Sequence, residues 1–279
     1  MKNKLYSGIP LIKDYEKLLK DNDYLKMENY SKQFLNCNSD KLDYYSKKWC
    51  NDPFNWWSRK WEYLFVYSKI MEYTNIDSNY DKINILDAGS GITFFPYFIQ
   101  SEIKNSNVIC CDIDESLEII FNNINKCSEK PVSFYNSDIG NIPFEDNYFS
   151  IIYSISVLEH TQNFEEVIKE FYRLLKPNGM LVITFDISID GLLDISVEES
   201  IELLERLLNY FETTEDFDPL LEVYTLNEHE IVTTKYAYDS NATIKNKFND
   251  LISNVYNKIM RNNVNIPNLT FYCISLKKT

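Results

Sequence analysis

Hydrophobic and polar positions follow two rhythms along this chain. Over residues 10–73 apolar side chains recur at helical spacing without strand alternation, whereas from Lys82 onward short apolar runs alternate with amphipathic stretches. The second rhythm predicts a parallel sheet with helical crossovers. Its strands are expected at residues 83–87, 108–112, 132–136, 149–154 and 180–185, with a final strand at 270–276.

The intervening helices carry their own start and stop signals. Thr93 is placed to cap a helix running to residue 103, with Pro96 in a first turn where its missing amide proton costs nothing. Residues 115–126 put Leu117, Ile120, Phe121 and Ile124 on one face. Asn163 with Glu166 three residues on resembles a capping arrangement. The stripe Val167, Ile168, Phe171, Leu174 and Leu175 then runs to the stop signal Lys176, Pro177, Asn178, Gly179. After Asp186 an acidic stretch is followed by expected helices at 197–211 and 241–261. These boundaries divide the chain into a helical N-terminal cap, 1–79, and an α/β domain, 80–279, with an insertion around 187–240.

Charge and cysteine usage narrow the setting. Twenty-eight basic against 42 acidic residues give a formal net charge of −14, which lacks the basic footprint a phosphate backbone demands. Nucleic acid is therefore not an expected partner. No export signal is visible at the N-terminus, and no apolar run approaches the roughly 18 residues of a membrane span. The six cysteines show no CxxC spacing and read as reduced thiols of a cytoplasmic protein. Nothing in the pattern fixes an oligomeric state.

Candidate chemistry begins at the end of the first strand. Residues 85–93 read Ile-Leu-Asp-Ala-Gly-Ser-Gly-Ile-Thr, so that Asp87, Gly89, Ser90 and Gly91 form a tight turn where a ligand can approach the backbone closely. At the carboxyl end of an open parallel sheet, ligands bind. The second strand ends in Asp112, about twenty residues on, where an acid can accept both hydroxyls of a ribose. Phe94 stands where a dinucleotide fingerprint would place its third glycine, which argues against NAD and a nicotinamide oxidoreductase.

At this point the chain resembles class I S-adenosylmethionine-dependent methyltransferases. The resemblance spans roughly 83–185 and is carried by the glycine turn, Cys111, Asp112 and Ile113, then Ser137, Asp138 and Ile139, the stretch 149–160, and 173–179. It implies a Rossmann-like, doubly wound, mostly parallel sheet with an antiparallel last strand, and S-adenosyl-L-methionine as cofactor. It also implies roles: residues 89–91 pack against the methionine moiety with Asp87 near its ammonium, and Asp112 holds the ribose. Asp138 accepts from the adenine amino group between Ile113 and Ile139, while Ser154 to Ser156 line the pocket below the sulfonium. Thr93, where the family often has a small residue, and Ser150, where an acid is usual, depart from the pattern.

Methyl transfer to a hydroxyl also needs a base, and only His160 and His229 are available. His160 follows the fourth strand on the carboxyl side of the sheet and is the expected base. His229, between two glutamates, reads as a surface residue. Asp186 could orient an acceptor or join Asp190 and Asp194 around a metal, but without a histidine cluster no metal site is expected.

All four tryptophans, Trp49, Trp56, Trp57 and Trp61, fall in one short stretch. Helical spacing puts Trp57, Trp61, Leu64 and Phe65 on one face and Trp56, Lys60, Tyr63 and Tyr67 on another, with Arg59 and Glu62 between them. One face is expected to dock on the sheet domain and the other to cover the cofactor or acceptor. Trp57, Arg59, Tyr63 and Asp186 are the expected acceptor contacts. The stretch 85–97 is similar to methyltransferases of bacterial surface-polysaccharide synthesis, which implies O-methylation of a sugar or nucleotide-activated small molecule. The alternative is a noncatalytic S-adenosylmethionine-binding or interaction module.

Overall fold

The computed structural model describes residues 5–48, 52–76, 82–161, 163–240 and 267–279. Trp49, Cys50 and the expected helix at 241–261 lie outside the described residues. The chain enters through α1 (Ile12–Leu18), α2 (Asn22–Lys48), a 3-10 turn at Pro53–Asn55 and α3 (Arg59–Ile76). Strands and helices then alternate through β1 (Ile83–Ala88), α4 (Phe95–Glu102), β2 (Ser106–Asp112), α5 (Leu117–Asn125), β3 (Ser133–Asn136) and β4 (Phe149–Ile155). A 3-10 turn at Leu158–His160, α6 (Phe164–Leu174) and the long β5 (Leu175–Ser188) follow. The remaining elements are β6 (Ile195–Ser196), α7 (Val197–Leu208), β7 (Glu212–Thr213), α8 (Pro219–Tyr224), α9 (Thr234–Ser240) and β8 (Leu269–Lys277).

These strands form one sheet in the order β3-β2-β1-β4-β5-β8-β7, with β6 beside the end of β5. β3 through β5 pair in parallel, while β8 runs antiparallel between β5 and β7. This is a Rossmann-like, doubly wound sheet with an antiparallel strand closing one side. The strand order reverses between β1 and β4, and the crevice outside their carboxyl ends is the topological switch point where such sheets take ligands.

Alternation along the strands splits the core between two faces. Ile83, Ile85, Cys110, Ile151, Tyr153 and Val182 pack toward α2, α3, α4 and α5, whereas Leu86, Ala88, Ile109, Ile152, Leu181 and Ile183 pack toward α6 and α7. Burial on both faces explains the continuous apolar runs. Asp87 shares the parity of Ile85, so its side chain lies on the same face as Tyr153.

Two local features depart from the sequence expectation. β5 begins at Leu175, because Asn178 adopts φ +63° and lets the strand continue through the Pro-Asn-Gly stop with a register shift against β4. A Cβ on Gly179 would sit 2.7 Å from the Lys176 carbonyl oxygen, so glycine is required there. The stretch after Asp186 supplies β7, an edge strand of only two residues, too short to leave a periodic signature. Helix α3 has no solvent face over residues 61–70, where Trp61, Glu62, Tyr63, Leu64, Phe65, Val66, Tyr67, Lys69 and Ile70 are all buried, and it meets solvent in its last turns at Glu72 and Asn75. Packed against β4, β5, β8 and α2, it is a core helix over this stretch, with Trp61 and Phe65 in the core and Arg59 and Tyr63 on the cavity.

Candidate functional site

The crevice at the switch point is a cavity of about 830 Å³. Its floor is the turn after β1. Gly89 and Gly91 have φ of +75° and +51°, a region in which side-chain-bearing residues are strained. The amides of Gly89 and Ser90 donate to the Cys111 carbonyl at 2.8 and 3.0 Å. The Gly91 amide donates to Asp112 Oδ2 at 2.8 Å, and the Asp114 amide to Oδ1 at 3.0 Å. The carboxyl ends of β1 and β2 are thus tied into one platform. A Cβ on Gly89 would lie 2.6 Å from both Val157 methyls, and one on Gly91 would lie 2.5 Å from the Tyr45 hydroxyl.

Asp87, Ser90, Asp112, Ile113, Asp138 and Ile139 all line this cavity. Asp138 Oδ1 accepts from the Gly140 amide at 2.8 Å, which fixes the turn after β3. Ile113 is 73% exposed and stands free at the rim, while Ile139 is buried. Asp87 is buried, and that burial pushes its carboxyl up to about 8; a hydrogen bond from Tyr153 works against the rise and the nearby Asp112 charge adds to it.

The opposite wall holds Arg59, Tyr63, Ser156 and His160. Arg59 Nη1 donates to Glu62 Oε2 and Ser156 Oγ, both at 2.5 Å, and to Ser58 Oγ at 3.4 Å. Glu62 Oε1 accepts from Ser156 Oγ at 2.8 Å and from Thr184 Oγ1 at 2.5 Å. Ser156 sits at φ +47°, a strained left-handed conformation held by these bonds. Burial opposes the Arg59 charge most strongly, but the charges of Glu62, Tyr63 and Asp186 and the Glu62 hydrogen bond together outweigh it and raise the guanidinium above its usual range. The His160 side chain is 65% exposed at the cavity edge, with Nδ1 3.6 Å from Asp194 Oδ1.

Three expected site residues are placed elsewhere. Ser154 is fully buried and donates to the Ala88 carbonyl at 2.9 Å, linking β4 to β1 rather than lining the pocket; its neighbours Ile155 and Ser156 line it instead. Trp57 packs edge-on against Phe271, ring centroids 5.2 Å apart, inside the core. Asp186 lies behind the wall, where its amide donates to Glu159 Oε1 at 3.1 Å. Burial pushes both acids well above the usual carboxylate range, as does the charge of Asp186 on Glu159 and that of Glu62 on Asp186. Asp190 uses its carboxylate on Ser188, Leu192 and Asn268. Among the described residues no group of three His, Cys, Asp or Glu side chains has metal-holding geometry.

Sequence reasoning missed Glu62, Tyr45 and Tyr153 as parts of the site. Glu62 carried one usable signal, an acid one turn from Arg59 inside an otherwise aromatic and aliphatic helix. Tyr45, brought over Gly91 by the long α2, carried none.

Comparison with known proteins finds a family match to part of this chain. Residues 86–183 match the family described as Methyltransferase domain. The matched segment runs from β1 into β5 and contains Asp87, the glycine turn, Asp112, Asp138 and His160. Sterol 4-C-methyltransferase strm-1 of Caenorhabditis elegans is 28% identical over 104 residues, which cover 36% of this chain and 26% of that protein. An uncharacterized protein of Methanocaldococcus jannaschii is 32% identical over 99 residues, covering 36% of this chain and 39% of its own length. The chain thus spans well under half the length of these relatives.

Solved structures agree on the fold. Geranyl diphosphate C-methyltransferase of Streptomyces coelicolor, solved with S-adenosyl-L-homocysteine, has a TM-score of 0.51 at 12% identity, covering 76% of this chain and 77% of that one. The cyclase SpnF has a TM-score of 0.50 at 16% identity, covering 75% and 78%. One fold carries a methyl transfer and a cyclisation, so chemistry must be argued from the site.

Proposed function

We propose that this chain is an S-adenosylmethionine-dependent methyltransferase acting on a hydroxyl of a small-molecule acceptor. The observation that carries the reading is that one cavity at the switch point contains both an adenosyl-type platform and a candidate base. The residues fit the cofactor: the cradle at Gly89 and Gly91 would be filled by a Cβ, and three carboxylates stand at the ends of successive strands in the sheet order. Asp112 would hold the ribose diol, Asp138 the adenine amino group between Ile113 and Ile139, and Asp87 the ammonium group. When bound, the cofactor supplies an electrophilic methyl group.

The chain's own residues then have three tasks. Tyr63 and Ser156 shape the wall against which the acceptor is aligned. His160 takes the acceptor's hydroxyl proton at Nε2. Asp194, 3.6 Å from Nδ1, orients the ring. Four acids line the cavity, Asp87, Asp112, Asp138 and Glu166, which favours a neutral acceptor over an anionic one. A sugar hydroxyl, the class implied by the sequence resemblance, meets that requirement.

The test is to incubate the full chain with S-adenosylmethionine and a panel of sugars, nucleotide-activated sugars and, given the partial match to a sterol methyltransferase, a sterol. Formation of S-adenosylhomocysteine with a mass gain of one methylene on a hydroxyl-bearing acceptor is expected. Cofactor binding with no turnover on any of them would favour the noncatalytic module.

A further inference from the structure

Arg59 is the one permanently cationic side chain among the described residues that line the cavity, and it is 7% exposed. Burying a guanidinium is costly unless its donors are matched. Nη1 is committed to Ser58, Glu62 and Ser156, whereas Nε and Nη2 make no hydrogen bond among the described residues. Those two nitrogens are not among the sealed, unpartnered polar atoms of the interior. A planar pair of donors therefore remains for a ligand, in the fork geometry that suits a carboxylate.

Its position indicates whose carboxylate this is. Ser156, bonded to Arg59, precedes Val157, which packs over Gly89 on the floor. Tyr63, one turn beyond Arg59 on α3, lines the cavity with Asp87 and with Thr93 of the glycine turn and lies within electrostatic reach of both Arg59 and Asp87. Arg59, Tyr63 and Asp87 line the same cavity, and once an ammonium draws the proton from Asp87 the guanidinium and the carboxylate carry opposite charges, complementary to an amino-acid zwitterion. An acceptor anion entering alone would meet four cavity acids, whereas the methyl donor brings its carboxylate together with an ammonium and a sulfonium. We propose that Arg59 binds the amino-acid carboxylate of the cofactor and that Glu62 and Ser156 are positioning residues that aim it. This rests on the cofactor reading above and moves Arg59 from the acceptor side to the donor side.

Calorimetric titration of the full chain with S-adenosylhomocysteine and with its decarboxylated analogue, which keeps the amine, tests this without turnover. The wild-type chain is expected to bind S-adenosylhomocysteine about 10- to 100-fold more tightly, the scale of a charge-assisted pair. Arg59→Met is expected to bind both equally, at the affinity the wild type shows for the analogue. Because that change leaves Glu62 buried without its cation, the double variant Arg59→Met/Glu62→Gln removes both charges and should also lose the discrimination. Equal binding of the two ligands by the wild-type chain, or discrimination that persists in either folded variant, overturns the assignment. If the wild-type chain binds neither ligand, the cofactor reading itself fails.

Discussion

The Tyr153 hydroxyl donates to Oδ2 of Asp87 at 3.0 Å, joining β4 to the carboxyl end of β1 inside the core. Even with that bond, burial holds the Asp87 carboxyl at about 8, against about 3.9 for an unfolded aspartate. Between these values the unfolded chain has lost a proton that the folded protein keeps. Rising pH therefore favours unfolding across that window, and the penalty is fully developed above about 8. Asp87→Asn should raise the ligand-free Tm most at alkaline pH, with the gain shrinking toward about pH 4. A thermal-unfolding series across that range checks the sign.

The same residue links cofactor binding to protons. An ammonium group beside Asp87 favours the carboxylate, so cofactor binding near neutral pH should release a proton. Titrations with S-adenosylhomocysteine in buffers of different ionisation enthalpy should show that release in the wild type. Asp87→Asn should show less release and weaker binding. A binding enthalpy that does not depend on the buffer would count against this role.

Gly89→Ala should fail for two separable reasons, a positive φ and a clash with both Val157 methyls. The backbone part alone costs about 1–2 kcal/mol. Combining it with Val157→Ala should recover only the steric part, as measured by denaturant midpoints. Full recovery would mean that the left-handed turn is not required.

His160→Ala should leave cofactor affinity intact and lower turnover by roughly 100-fold or more, the scale of general-base loss. Asp194→Asn, which keeps the shape but alters the group facing Nδ1, should give a smaller fall. Unchanged turnover in His160→Ala would remove it from the reaction and leave proton removal to solvent.

Trp57→Ala should cost about 3–5 kcal/mol of stability, because the ring is core packing against Phe271. Cofactor affinity in the folded fraction should stay at the wild-type value. A lost acceptor affinity with unchanged unfolding would instead return Trp57 to the acceptor site.

The sheet was legible because each buried strand is an apolar run bounded by a turn signal, and the residues 87 to 91 and Asp112 because their spacing follows from one crossover. Strand-end positions are set by local chain geometry, so Asp138 and Ile139 could be read the same way. The other wall is built from distant segments: Arg59 and Glu62 meet Ser156 and Thr184 from α3, β4 and β5. No local pattern reports such a meeting. Helical spacing does not extend to Trp57, which stands in the turn before α3 and packs on Phe271 of a distant strand, which is why it read as a ligand contact. Ser154 failed for a narrower reason, since strand parity turns alternate residues away from the cavity and one position separates it from the lining residue Ile155.

The most direct test of the central claim is a calorimetric titration of the full chain with S-adenosylhomocysteine, run beside NAD and repeated with Asp112→Ala. One-site binding of S-adenosylhomocysteine, no response to NAD and a large loss of affinity in Asp112→Ala are the predicted results. Binding of NAD without S-adenosylhomocysteine, or an affinity for S-adenosylhomocysteine unchanged by Asp112→Ala, would contradict the account.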